Sequence, residues 1–309
     1  MVCAALLLST GGWLLWGRRA EPDSLRAQVV HIWGIKGAQA GELNRPRAIH
    51  AAEDGTLFVI DRSGRMQHFT RDGKFLNAWR FPQWQNGTPT SLSADGEGHL
   101  VVANTHYSSI LTYEQTSALV REFGQRGEGA GSLYLPTDVM VSPDGTHYVL
   151  EREPWKDKVM MFTPEGRFIS EWGSSGDGPG QFVRPMAIEL DQKNRVWIAD
   201  SCNHRLEAFD LDGKFLFAIG ENGTAPGQLD YPYDLALGPN DELVVAEYGN
   251  NRIQILRDDG SSLGIIGGPG SAPSRFASPW GVDCDRDGII WVADTLNDRV
   301  QGLRIEWNN

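Results

Sequence analysis

Short apolar runs recur along this chain at a nearly fixed interval. They read FVID ending at Asp61, VVAN at Asn104, YVLE at Glu151, WIAD at Asp200, VVAE at Glu247 and WVAD at Asp294. The polar residues that end them are separated by 43, 47, 49, 47 and 47 positions. Fifteen residues before each stands a proline: Pro46, Pro89, Pro136, Pro185, Pro232 and Pro279. Two landmarks in one register exclude chance, and the period marks a repeat architecture. The runs are too short for helices and rich in β-branched and aromatic residues, so they predict strands.

Each period predicts four strands. An apolar stretch follows the proline, as in Met186-Ala187-Ile188-Glu189-Leu190. A turn comes next, often Asp-Gly as at Asp54-Gly55 and Asp144-Gly145, where glycine supplies the positive φ of a tight hairpin. The landmark run is the second strand, and a third reads like Arg205-Leu206-Glu207-Ala208-Phe209. A fourth ends on an apolar residue such as Trp79, Trp172 or Ile219. Four antiparallel strands per unit of this length make a propeller blade. The sixth unit lacks its fourth strand, and Val29–Trp33 near the N-terminus matches the missing segment. The expected fold is therefore all-β: one six-bladed β-propeller over residues 26–309, its last blade closed by the N-terminal strand, after a leader over residues 1–25.

Composition agrees. Glycine supplies 36 residues and proline 16 of 309, which suits many short strands and turns rather than a helical protein. The net charge of −12 argues against general nucleic-acid binding, which needs clustered Lys and Arg. Cys3, Cys202 and Cys284 cannot form a disulfide framework. Residues 2–16 are apolar and uncharged, with Arg18-Arg19 after them. That segment suggests a signal peptide or membrane anchor, and with it a bacterial periplasmic or other extracytoplasmic location.

The stretch from Gly173 to Phe215, with GQF before its proline and VWIAD, Asn203-His204-Arg205 and DGKF after it, resembles an NHL repeat. Blades four to six match best, and the resemblance covers about residues 29–305. It implies the propeller fold and leaves function open, because NHL relatives include RNA-binding and protein-binding scaffolds, extracytoplasmic sensors and a peptide-amidating lyase. In that lyase a histidine directly after the proline in several blades implies zinc ligation. None of the six corresponding positions here is histidine.

Two rings of side chains are expected on the face that carries the proline loops. The outer ring is Asp61, Asn104, Glu151, Asp200, Glu247 and Asp294. Its acids precede Arg205, Arg252 and Arg299 by five residues, so they are expected to accept loop N–H bonds and pair with those arginines. The inner ring, directly after each proline, is Arg47, Thr90, Thr137, Met186, Tyr233 and Trp280. It does not repeat, and unlike residues converging on one point are what a ligand site requires. These six, with Asp138 and Asp234 one position further on, form the expected ligand site at the channel mouth. Departures from the repeat suggest a second contact surface at Trp84, Asn104, His106, Tyr107, Arg152 and Trp155. No catalytic or metal-ligating set is expected, and no motif of the GxSxG, HExxH or phosphate-loop type occurs. The leading expectation is a monomeric, non-enzymatic propeller without cofactor that binds a protein, peptide or glycan. The alternative is a lyase or lactonase-type enzyme using calcium or zinc at the channel mouth.

Overall fold

The structure, a computed structural model, describes residues 26–152 and 156–306. It is built from six four-stranded antiparallel sheets arranged as the blades of a propeller. Apolar residues line both faces of each middle strand, so every blade packs against two neighbours. Phe58 and Ile60 of blade one meet Leu100 and Val102 of blade two. Val59 on the opposite face meets Trp291 of blade six. The other interfaces repeat this arrangement around the ring. Core burial thus lies between blades, and no blade could bury its faces alone.

Closure follows the expected route. Arg26–Trp33 pairs antiparallel with Arg299–Glu306 as the outer strand of the last blade. His31 stacks on Trp291 with ring centroids 5.2 Å apart, and Trp33 packs on Phe69 at 4.6 Å. The Trp33 indole N–H donates to the Arg71 carbonyl at 3.1 Å, which ties the strand to blade one. The ladder therefore leaves no blade incomplete.

Two local features position the functional residues. The pairing of the innermost strand slips directly after the proline, between Pro46 and Ala48, Pro136 and Asp138, Pro185 and Ala187, and Pro232 and Asp234. Such a bulge leaves one residue outside the ladder and re-aims its side chain, here the residue after the proline. The turn glycines let neighbouring blades approach. Gly213 has φ +81°, and a Cβ there would lie 2.2 Å from the Trp172 ring. Any side chain at that position would push blade four away from the tryptophan beside it.

Candidate functional site

The outer ring is a set of buried ion pairs. Asp200, Glu247 and Asp294 are fully buried. Asp294 accepts a hydrogen bond from the Ala277 N–H at 2.8 Å and from Arg299 Nε at 2.7 Å. Arg299 in turn donates to the Ser271, Ala272 and Arg275 carbonyls of the preceding loop. Glu247 with Arg252, Asp200 with Arg205 and Asp61 with Arg65 repeat the unit. One acid and one arginine thereby satisfy a whole interblade loop, which is a structural task.

A glutamine completes this unit in three blades. Gln254 Nε2 donates to the Gln228 carbonyl and to Glu247, while its Oε1 accepts from the Gly227 N–H. Gln67 and Gln301 do the same in blades one and six. Blade four has Glu207 instead. Its Oε1 lies 3.1 Å from Arg205 and 3.3 Å from the Gly180 N–H, and its buried Oε2 has no hydrogen-bond partner. Burial, with Asp200 adding to it and Arg205 opposing it, pushes Glu207 up to about 7. A protonated Glu207 can donate where the other blades use an amide N–H.

The inner ring divides. Arg47, Tyr233 and Trp280 come together: the Arg47 guanidinium lies 4.6 Å from the Trp280 ring centroid, and Tyr233 meets Trp280 edge-on at 4.9 Å. Thr90 donates to the Thr137 carbonyl, and Thr137 donates to the Pro185 carbonyl, so these two stitch one blade to the next. Met186 is buried.

Other residues complete the Arg47 cluster. Tyr248 stacks on Tyr233 at 4.4 Å, and the Arg184 guanidinium lies 5.6 Å from the Tyr233 centroid. Burial together with Arg62 and Arg45 pushes Arg47 down to about 10. Burial and neighbouring Arg184 lower Arg152, with Asp157 opposing. Burial, Arg47 and Arg152 lower His106. Among the described residues, Arg45, Arg47, Arg62 and Arg184 make no ion pair with a carboxylate, unlike the outer-ring arginines. In a chain of net charge −12 the mouth is thus a local concentration of positive charge against aromatic walls.

Asp138 and Asp234 sit deeper than this ring. They line a cavity of about 300 Å³ in the channel together with His50, Ser91, Glu189 and Asp283. Asp138 accepts from the Ile188 N–H, Asp234 from the Val282 N–H and Asp283 from the Ala51 N–H, each at 2.8 Å and each across a blade boundary. Burial pushes Asp138 up to about 7 and raises Asp234 well above the usual carboxylate range. Burial, with Asp283 and Asp138 nearby, pushes Glu189 up to about 8. Asp138, Asp234 and Glu189 are thus shifted toward their protonated forms, and Asp283 lies 3.0 Å from His50 Nδ1. Among the described residues no group of three or more His, Cys, Asp and Glu side chains is arranged to hold a metal ion.

The residues of the second expected surface lie in different surroundings. Asn104 is buried, with its Nδ2 3.4 Å from Ser109 Oγ, because the second-strand landmark lies beneath its loop. Trp84 lies near Arg80, and the Tyr107 hydroxyl accepts from the Asn86 N–H. Arg152 and His106 face the mouth cluster, and Trp155 lies outside the described residues. The sequence reading missed Tyr248, Arg62 and Arg184. Their signal was available in two further non-repeating columns, one residue after the landmark and one before the proline.

Residues 138–220 match a family described as a 6-bladed beta-propeller, and residues 229–256 match the NHL repeat. NHL repeat-containing protein 3 of Mus musculus is 30% identical over 177 residues, covering 51% of this chain and 49% of that protein. Peptidyl-glycine alpha-amidating monooxygenase of Mus musculus is 25% identical over 189 residues, covering 58% of this chain and 18% of that protein. The matches thus span half or less of these relatives. Among solved structures, a streptogramin B lyase superposes with TM-score 0.63 at 15% identity, covering 91% of this chain and 98% of that one. A gluconolactonase of Xanthomonas campestris superposes with TM-score 0.66 at 14% identity, covering 93% and 92%. At such identities the likeness shows fold alone. The repeat register, the closed ring and these matches together show a six-bladed β-propeller whose blades resemble NHL repeats.

Proposed function

We propose that this propeller is a non-enzymatic binding module that holds a protein, peptide or glycan at the channel mouth through an anionic group of the ligand. The observation that carries this reading is Arg47, half-buried without a carboxylate partner and packed over Trp280 beside Tyr233. A guanidinium offers a rigid fork of donors matched to a carboxylate, and the two rings offer flat apolar walls. The apolar segment at residues 2–16 supports a place outside the bacterial cytoplasm.

The test is capture of ligands by the full-length chain, followed by affinity measurements on variants. Trp280→Ala should weaken binding by about 2 kcal/mol or more. Arg47→Lys should also weaken it despite keeping the charge, because an ammonium cannot make the paired bonds. A ligand located on the opposite, turn-rich face would overturn the reading.

A second reading is a lyase or lactonase-type enzyme using a divalent ion in the channel. One observation favours it: inside a cavity, burial pushes Asp138 up to about 7 and Glu189 up to about 8, the direction in which active sites shift acid–base groups. A tightly held stoichiometric ion in purified protein would select it.

A further inference from the structure

The mouth has a second cationic end, which extends the binding reading above and rests on it. Arg47 lies over Trp280 at 4.6 Å, Trp280 meets Tyr233 at 4.9 Å, and Arg184 lies 5.6 Å from Tyr233. Two guanidinium groups thus cap opposite ends of one aromatic wall. They come from unrelated positions: Arg47 follows the proline of blade one, whereas Arg184 precedes the proline of blade four.

Neither arginine is used by the fold in the manner of the outer ring. Arg252 donates to Glu247 and to carbonyls of its loop. Arg47, by contrast, has a single long bond of 3.4 Å to the Thr88 hydroxyl. Its Nε, and that of Arg184, are buried without a hydrogen-bond partner. An unsatisfied buried donor on a charged group is costly, and the mouth carries two. Arg45 and Arg62 crowd the first end and Arg152 the second, so each end repels further cations and gains from an anion. At the second end Asp157 accepts from the Arg184 main-chain N–H at 3.0 Å and partly offsets Arg152, but among the described residues it makes no ion pair with the Arg184 guanidinium. Asp138 and Asp234 lie below, bonded to main-chain N–H groups across the blade boundaries.

We infer that the ligand carries two carboxylates on either side of a flat apolar or sugar-ring segment, one seated at Arg47 and the other at Arg184. An acidic peptide and a uronic-acid glycan share this chemistry. A single acid would satisfy one end and leave the other cationic.

The experiment is titration calorimetry of the full-length chain at low salt. Its probes are phenylacetate, 1,4-phenylenediacetate and digalacturonate. A diacid should bind roughly tenfold or more tighter than phenylacetate, since a charge-assisted hydrogen bond is worth at least that factor. Arg184→Gln should remove the diacid's advantage while changing phenylacetate affinity little, and Arg47→Gln should also remove it. Circular dichroism checks that each variant is folded, and Arg184→Lys supplies a milder substitution. Tighter binding of digalacturonate than of 1,4-phenylenediacetate assigns the glycan source, and the reverse order the peptide. Equal affinity for monoacid and diacids overturns the two-ended ligand, as does a diacid advantage that survives Arg184→Gln. If phenylacetate binds and is weakened by Trp280→Ala while the diacids gain nothing, the binding reading stands and only this inference falls. If no probe binds, the mouth is not an anion site and both fall.

Discussion

Two sets of arginines share the face that carries the proline loops, and they live in opposite surroundings. Arg65, Arg205, Arg252 and Arg299 each meet a buried acid within 3.1 Å and several carbonyls of the preceding loop. Arg47 and Arg184 meet aromatic rings and other arginines instead. The first set recurs at one place in the repeat, and the second occupies positions where the repeat varies. Recurrence marks what every blade needs in order to pack. Its absence marks what one point of the ring needs for a ligand.

The largest expected effect tests the structural set. Arg252→Ala leaves Glu247 buried beside orphaned carbonyls and should cost about 3–5 kcal/mol, read from the denaturant midpoint. A variant as stable as the parent would erase the distinction between the two sets. Asp294→Ala should cost about 1–3 kcal/mol, because the Ala277 N–H and Arg299 lose their acceptor, while the mouth keeps its binding. Normal stability with lost binding would move the outer ring into the site.

Glu207 sharpens the comparison, because it departs from its repeat without being at the mouth. Its folded value of about 7 stands above the ordinary 4.5, so the folded protein binds more protons between those limits. Stability should therefore fall as pH rises from about 4.5 through about 7, then level off. Glu207→Gln restores the amide of the other blades and should remove that component. It should raise stability at pH 8 by about 1–3 kcal/mol while changing little at pH 4. The part of the slope that comes from Asp200, raised to about 6, and from the channel acids should remain. Parallel pH profiles for parent and variant would show that Glu207 is ionised in the folded state.

The smallest effect is expected at the mouth. Arg184→Gln should leave stability unchanged or raise it by about 0.5 kcal/mol, since it relieves crowding with Arg152 and removes a buried unsatisfied donor. A loss comparable to that of Arg252→Ala would show that Arg184 supports the fold.

The sequence by itself determined the ring. Two landmarks in one register set the number of blades, alternation and turn residues set the strands, and the orphan strand Val29–Trp33 set the closure. These features were legible because each is local and repeated six times, so pattern reports on packing. The outer-ring pairs were legible for the same reason, the acid and arginine being five residues apart on one hairpin. Tertiary structure alone decided which variable residues meet. Arg47 and Trp280 are 233 positions apart in sequence, and only ring closure brings blade one beside blade six. It also decided that Thr90 and Thr137 bond to neighbouring blades, that Asn104 is buried, and that Asp138 and Asp234 lie below the mouth. Strand pairing is fixed by short-range alternation, but a side chain's surroundings depend on the bulge that turns it and on the blade opposite. No periodicity along the chain encodes that second quantity.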